Sequence, residues 1–220
     1  MSSLIKLFLG VFLFVGLPLL GWGMNDWQDF ITHPARFSYL VAAFVLQIIV
    51  VFYFLRRKNG RQEDILPRER LHLLPLQIIP LLIFIIAPYT DHRNFAVFPD
   101  FVLLHYLGTV LFAVGFFMAH WAEASLGKQF SIYIGLQENH VLVTEGIYCY
   151  IRHPRYLGII TFTGGFSLLC RSWIALVLVS VLVFVLLRRA SEEEAILHRA
   201  FGVTWEQYVR RSSRFIPFVY

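Results

Sequence analysis

The sequence predicts an all-α protein, a polytopic bundle of membrane helices with about six crossings, two of them forming a helical hairpin at 156–187. Three observations carry this expectation. Hydrophobic residues make up 58% of the 220 and charged residues 15%, with a mean hydropathy of +0.65. Soluble domains average about 45–50% and about 25%, so this much Phe, Leu, Ile and Val exceeds what a water-soluble core of this size can bury. Apolar runs of spanning length recur along the first half of the chain. The lysines and arginines between the runs are sorted strongly by side.

A spanning helix needs about 20 predominantly apolar residues. Leu4–Leu20, Phe37–Leu55, Leu71–Thr90 and Phe101–Ala122 qualify. The first resembles a secretory leader, but Gly21-Trp22-Gly23-Met24 makes a poor small-residue cleavage site, so it is read as a span. The second carries no charge. The third holds Pro75, Pro80 and Pro88. Each removes a backbone donor, which a membrane helix tolerates where neighbours satisfy the freed carbonyls.

The last apolar region, Tyr156–Leu187, has 32 residues. As one helix it would run to about 48 Å, well beyond a hydrocarbon core of roughly 30 Å. It would also place Arg171 at mid-membrane, a costly position for a charge. A hairpin, Tyr156–Cys170 then Trp173–Leu187, puts Arg171 at a turn near the far surface instead. Sidedness supports the hairpin. With six crossings, 16 of the 19 lysines and arginines fall on one side, leaving Arg36, Arg93 and Arg171 on the other. That is a strong positive-inside signature, placing the N- and C-termini in the cytoplasm. A bacterial inner membrane and an endoplasmic reticulum membrane satisfy it equally. The organisation expected is four N-terminal spans over 1–122 and a C-terminal catalytic region over 123–220, made of a cytoplasmic linker, the hairpin and a cytoplasmic tail helix.

Composition excludes several classes. Two cysteines, Cys149 and Cys170, cannot build a disulfide framework, nor a four-ligand zinc site without several histidines, and no close Cys/His spacing of that kind occurs. The net charge of +5 lies between apolar spans, where it reports orientation rather than nucleic-acid binding. His105 and His120 stand four turns apart on the fourth span, too far to share a metal unaided, and the nearby carboxylate is Glu123. No G-x-G-x-x-G, Walker loop or G-x-S-x-G elbow is present, so a Rossmann domain and a serine hydrolase lack support. Neither nucleic acid nor metal is expected as a partner; membrane lipids are.

Chemistry concentrates in the two cytoplasmic stretches. The linker segment 138–158 packs His140, His153, Tyr148, Tyr150, Tyr156, Arg152 and Arg155 at a membrane boundary. Singly, each suits an interfacial aromatic and basic belt. Together with Pro154, Gly146 and Gly158 they ask for more. Proline suits a first helical turn, whose free N–H groups can meet an anion, and Gly158 allows a ligand or a second backbone to come close. In the tail, Ser191 and Glu194 have capping-box spacing for a new helix, whereas Arg189 and Glu193 are i, i+4 partners if one helix runs through. Ile196-Leu197, Ala200-Phe201 and Trp205–Tyr208 then make an apolar docking stripe.

At these residues the sequence resembles the membrane-embedded methyltransferases typified by isoprenylcysteine carboxyl methyltransferase, with phospholipid N-methyltransferases and thiol S-methyltransferases as relatives. The matching elements are His140-Val141-Leu142-Val143, Gly146-Ile147-Tyr148 and Arg152-His153-Pro154-Arg155-Tyr156-Leu157-Gly158. Glu193-Glu194-Ala195-Ile196-Leu197, Phe201-Gly202, Tyr208 and Phe215-Ile216-Pro217 follow in order. Trp205 stands where tyrosine is more usual, and Ile147 where proline is common. The resemblance covers about Leu126–Pro217; the first 120 residues match only as generic spans.

That resemblance implies an S-adenosyl-L-methionine-dependent methyltransferase with a cytoplasmic cofactor pocket and no Rossmann domain. By position, His140, Val141, Leu142, Val143, Tyr148, His153, Pro154, Arg155 and Tyr156 would line the pocket. Glu194 would hold the methionine ammonium or a ribose hydroxyl. Arg189, or less readily Arg188, would meet the acceptor's carboxylate, making Arg189 and Glu194 the catalytic pair. The acceptor implied is lipidic, foremost the carboxylate of a prenylated cysteine or an analogue. N- or S-methylation, an NADPH-dependent sterol-type reductase and a non-catalytic membrane protein are the alternatives.

Overall fold

A computed structural model describes residues 3–55, 67–127 and 141–216. Among the described residues there is no β-strand, only two isolated bridges, Val97 with Ser172 and Ile151 with Ser213. The elements are α1 (Ser3–Val11), a π-turn (Phe12–Gly16), α2 (Leu17–Trp22), α3 (Trp27–Thr32), α4 (Pro34–Leu55), α5 (Pro67–His92) and α6 (Val102–Leu126). A 3-10 turn (Gly146–Cys149), α7 (Pro154–Leu169), α8 (Trp173–Phe201) and α9 (Val203–Val209) follow. Among the described residues, four helices are long and apolar enough to cross a membrane, within Pro34–Phe52, Leu73–His92, Val102–Leu126 and Trp173–Phe201, and Leu7–Trp22 is a shorter apolar helix.

The π-turn has a local cause. Pro18 cannot donate to the carbonyl of Phe14, one turn back, and the buried hydroxyl of Tyr39 on α4 donates to that carbonyl instead, at 2.5 Å. The three prolines of α5 lie inside one continuous helix, as expected. Phe14, Phe84, Phe112, Phe116, Phe162 and Phe166 meet mid-bundle, with Phe14 edge-on to Phe84 and Phe116 at 5.1 Å. That geometry adds to the burial of their area.

The hairpin is present: α7 and α8 are joined by Cys170, Arg171 and Ser172, and Ser172 caps α8 by accepting from the Ala175 amide. The fit of α7 against α6 is unusually close. A β-carbon on Gly158 would lie 2.6 Å from the Ala119 nitrogen and 2.7 Å from the Gly115 carbonyl oxygen. Of the two roles open to Gly158 from sequence, ligand or backbone approach, the structure shows backbone approach. Small residues let membrane helices come together in this way.

The far end of the hairpin is held by charge. Asp91, whose side chain is fully buried, meets Arg36 at 2.5 Å and Arg171 at 2.7 Å, tying α4, α5 and the turn together. Thr90 donates to Ser172 at 2.8 Å beside it. Arg36 and Arg171, two of the three basic residues that the charge count sets apart, are therefore paired internally. The sequence reading also missed a partner of His105. Its Nε2 lies 2.8 Å from Asp100, because the irregular segment before α6 folds back over that helix's first turn, and its Nδ1 lies 2.7 Å from the Leu169 carbonyl.

Candidate cofactor and acceptor site

The site forms where the start of α7 meets α8 beyond the end of its apolar run. Pro154 occupies the first turn of α7, and His153 is its N-cap residue but makes no side-chain cap bond. Its ring is committed elsewhere. Helix α8 stays apolar to Leu187 and then continues without a break to Phe201. Of the two sequence alternatives the continuous helix is the one observed. Ser191 donates back to the Leu187 carbonyl rather than capping, and Arg189 pairs with Glu193 one turn on, Nε to Oε1 3.1 Å. Glu193 and Glu194 are thereby carried to the N-terminus of α7.

Each carboxylate then meets several partners. Glu194 Oε1 accepts from Arg152 Nε at 3.0 Å and lies 3.2 Å from His153 Nε2, while its Oε2 lies 3.3 Å from Arg214 Nε. Glu193 accepts from the Tyr156 hydroxyl through a short bond and lies 3.7 Å from His153 Nδ1. Arg189 Nε donates to the Tyr156 oxygen at 2.8 Å. His153, Tyr156 and Arg189 are all at least nine-tenths buried. Three guanidinium groups and an imidazole thus surround two carboxylates, a donor set with cationic groups in excess.

The chain after α9 completes the enclosure. The Arg152 amide donates to the Ser213 carbonyl at 2.9 Å, and the His153 amide to that of Arg214 at 3.1 Å. Arg152 NH1 also bonds the Ser212 carbonyl. Phe215, buried, stacks on the His153 ring at 5.6 Å, and Tyr156 also stacks on it at 5.4 Å, within 4° of parallel.

The remaining candidates are distributed around this centre. His140 lies outside the described residues, as does Pro217 of the closing motif. Val141 is exposed, and Leu142 and Val143 are half-buried in extended chain before the 3-10 turn. Gly146 opens that turn at φ +63°, a conformation glycine accepts without strain. Tyr148 is buried with its hydroxyl donating to the Ala122 carbonyl on α6, not to the glutamates. Burial lifts its pKa well above the ordinary value, and that of Tyr208, which donates to the Tyr148 carbonyl at 2.8 Å, to about 12, so both hydroxyls stay protonated donors. Arg155 faces Glu123 on α6 at 3.9 Å. Arg188 is exposed over the Phe184 ring while Arg189 is buried in the cluster, so Arg189 is the arginine at the site. Arg152, Glu193, Arg214 and Phe215 join the site without having been singled out for it from sequence. Among the described residues no group of three or more His, Cys, Asp or Glu side chains is placed to hold a metal ion.

An arrangement of this kind suits a zwitterionic ligand. Carboxylates answer an ammonium, guanidinium groups answer a carboxylate in paired geometry, and aromatic faces suit a flat ring. The comparisons with known proteins agree with the resemblance read from the motifs. Residues 106–199 match the isoprenylcysteine carboxyl methyltransferase (ICMT) family. A protein-S-isoprenylcysteine O-methyltransferase of Schizosaccharomyces pombe is 32% identical over 109 residues, 48% of this chain and 46% of that protein. A probable enzyme of the same name from Oryza sativa subsp. indica is 27% identical over 133 residues, 59% of this chain and 70% of the other. Protein-S-isoprenylcysteine O-methyltransferase A of Arabidopsis thaliana is 30% identical over 115 residues, covering 51% and 58%. The match spans about half the length of the fission yeast relative. Among solved structures, the eukaryotic intramembrane Ras methyltransferase ICMT superposes with a TM-score of 0.57 over 91% of this chain and 73% of that one, at 18% identity. The chain has that fold.

Proposed function

We propose that the protein is an S-adenosyl-L-methionine-dependent methyltransferase of the membrane, acting on a lipidic acceptor whose methylated group is the carboxylate of a prenylated cysteine or an analogue. The observation that carries this is the convergence of Glu193, Glu194 and Arg189 from α8 onto His153 and Tyr156 of α7, within the stretch that matches the family. The relatives' names, all O-methyltransferases of isoprenylcysteine, support the carboxylate over an amine or thiol acceptor.

The donor set fits the cofactor. Glu194, with Glu193 beside it, would hold the amino group; Arg152 or Arg214 would meet the carboxylate; His153, Tyr148 and the 140–143 segment would flank the remainder. When bound, S-adenosylmethionine supplies an activated methyl group on a positively charged sulfur. Arg189, held in place by Tyr156 and Glu193, would orient the acceptor's carboxylate through a paired contact that a lysine cannot reproduce. Because charge is neutralised as methyl passes to a carboxylate, orientation and exclusion of water outweigh the need for a base. About six crossings with both termini cytoplasmic would open this site to the cytosol and let a lipid chain enter sideways between helices.

The test is S-adenosylhomocysteine binding to detergent-purified protein, with NADPH as the contrasting ligand. Micromolar binding by the wild type, lost in Glu194→Ala and weakened at least tenfold but still measurable in His153→Ala, both proteins staying monodisperse, supports the reading. Binding of NADPH alone, or of neither ligand, overturns it.

A further inference from the structure

In the segment after α9, Arg214 alone has a role in the mechanism above, yet the whole segment is bound to the site by backbone and side chain together. The parallel bridge between Ile151 and Ser213 brings it alongside the residue pair that opens α7, and the Arg152 and His153 amides both donate to it. Phe215 is thereby stacked on the His153 ring, which also stacks with Tyr156. The edges of the same ring face Glu194 and Glu193. His153 is therefore fixed by two stacked rings and by carboxylates at both nitrogens. Tyr156 belongs to the site already; Phe215 comes from a segment about 60 residues away in sequence and meets the site through the His153 ring.

We propose that Phe215 is a positioning residue for the cofactor site, acting through His153: its ring face holds the imidazole in the orientation that keeps Glu193 and Glu194 in place for the ligand. This rests on the reading that His153 and Glu194 bind the cofactor. A bare space-filling role makes a different prediction. Leucine supplies apolar volume but no ring face, whereas tyrosine and tryptophan supply the face.

The experiment measures S-adenosylhomocysteine affinity for wild type, Phe215→Leu, Phe215→Tyr, His153→Ala and the double variant Phe215→Leu/His153→Ala, all as full-length detergent-purified protein, with acceptor KM and kcat recorded alongside. Loss of one ring-on-ring contact should weaken binding by about three- to tenfold in Phe215→Leu. Phe215→Tyr should return to the wild-type value, the acceptor KM should stay unchanged in both, and Phe215→Leu should add nothing on the His153→Ala background. Wild-type affinity in Phe215→Leu, or an equal loss in Phe215→Tyr, overturns the proposal while leaving the cofactor reading intact. Additive losses in the double variant overturn it too, because Phe215 would then act by a route other than His153. Absence of binding by the wild type defeats the cofactor reading itself and the proposal with it. Because Phe215 is buried, a melting curve accompanies each variant; if Phe215→Leu is unfolded, Phe215→Met takes its place as the apolar variant without a ring.

Discussion

At the scale of single residues, the chemistry depends on which charges face each other, and this divides the arginines by role. Arg189 lies in the carboxylate cluster and Arg188 one position before it lies outside, over Phe184. Arg189→Lys keeps the charge but loses the planar fork, so kcat/KM for a prenylcysteine acceptor should fall by about ten- to a hundredfold with cofactor affinity unchanged. Arg188→Lys should leave both constants near wild type. Steady-state kinetics on the purified pair decide this. Glu194→Gln keeps the shape of the side chain but removes the anion that Arg152, His153 and Arg214 surround, and S-adenosylhomocysteine binding should drop at least tenfold. Much of this was legible in the sequence, because Arg152–Gly158 and Glu193-Glu194 are local runs whose residue types announce polar chemistry at a membrane boundary. Arg214 was not, and Phe215 was noted only in the closing Phe215-Ile216-Pro217 motif, with no role at the site; their contact with His153 and Glu194 comes from a tertiary bridge some 60 residues long in sequence.

At the scale of elements, two features set the frame that aims those side chains. The seam between α6 and α7 is one. Gly158→Ala would force two backbones apart, at a cost of about 1–3 kcal/mol from overpacking. Gly164→Ala on the same helix meets nothing within 4 Å and should be neutral or stabilising, by up to about 1 kcal/mol of helix propensity. Thermal melts in detergent compare the two directly. The hairpin turn is the other. Arg171 has φ +50° and pairs with buried Asp91. Arg171→Ala removes one of the two cations on a carboxylate with no exposed side-chain area, and removing one partner of such a group costs about 3–5 kcal/mol. Arg171→Gly loses the same ion pair but relieves the left-handed backbone, so it should melt above Arg171→Ala by the equivalent of about 1 kcal/mol. The turn itself was readable from sequence, since helix length and the cost of a mid-membrane arginine both demanded it. The Asp91 and Asp100 pairings were not, because an aspartate near a helix end reads equally well as solvated. The run of α8 through Arg188–Phe201 was left open by two competing local signals, a cap at Ser191 and an i, i+4 pair at Arg189. Packing against the start of α7 decided for the pair.

At the scale of the whole molecule, the proposal places the site, the tail and Cys149 on the cytoplasmic face, with the Asp91 cluster opposite. The two cysteines report on this without added labels: Cys149 is exposed and Cys170 is fully buried. A membrane-impermeant maleimide should modify Cys149 in inverted vesicles and not in right-side-out ones, and should leave Cys170 untouched in both until the protein is denatured. Labelling of Cys149 from the outside would reverse the orientation. The fold itself agrees with that of a solved intramembrane methyltransferase over most of the chain, at an identity too low to carry more than architecture. The activity therefore stands on the cofactor site, and one titration bears on it most directly: S-adenosylhomocysteine added to detergent-purified wild type and Glu194→Ala, with NADPH run in parallel. The account predicts micromolar affinity for the wild type, its loss in a variant that remains folded, and no response to NADPH. A wild type that ignores S-adenosylhomocysteine, or a Glu194→Ala protein that binds it equally well, would contradict it.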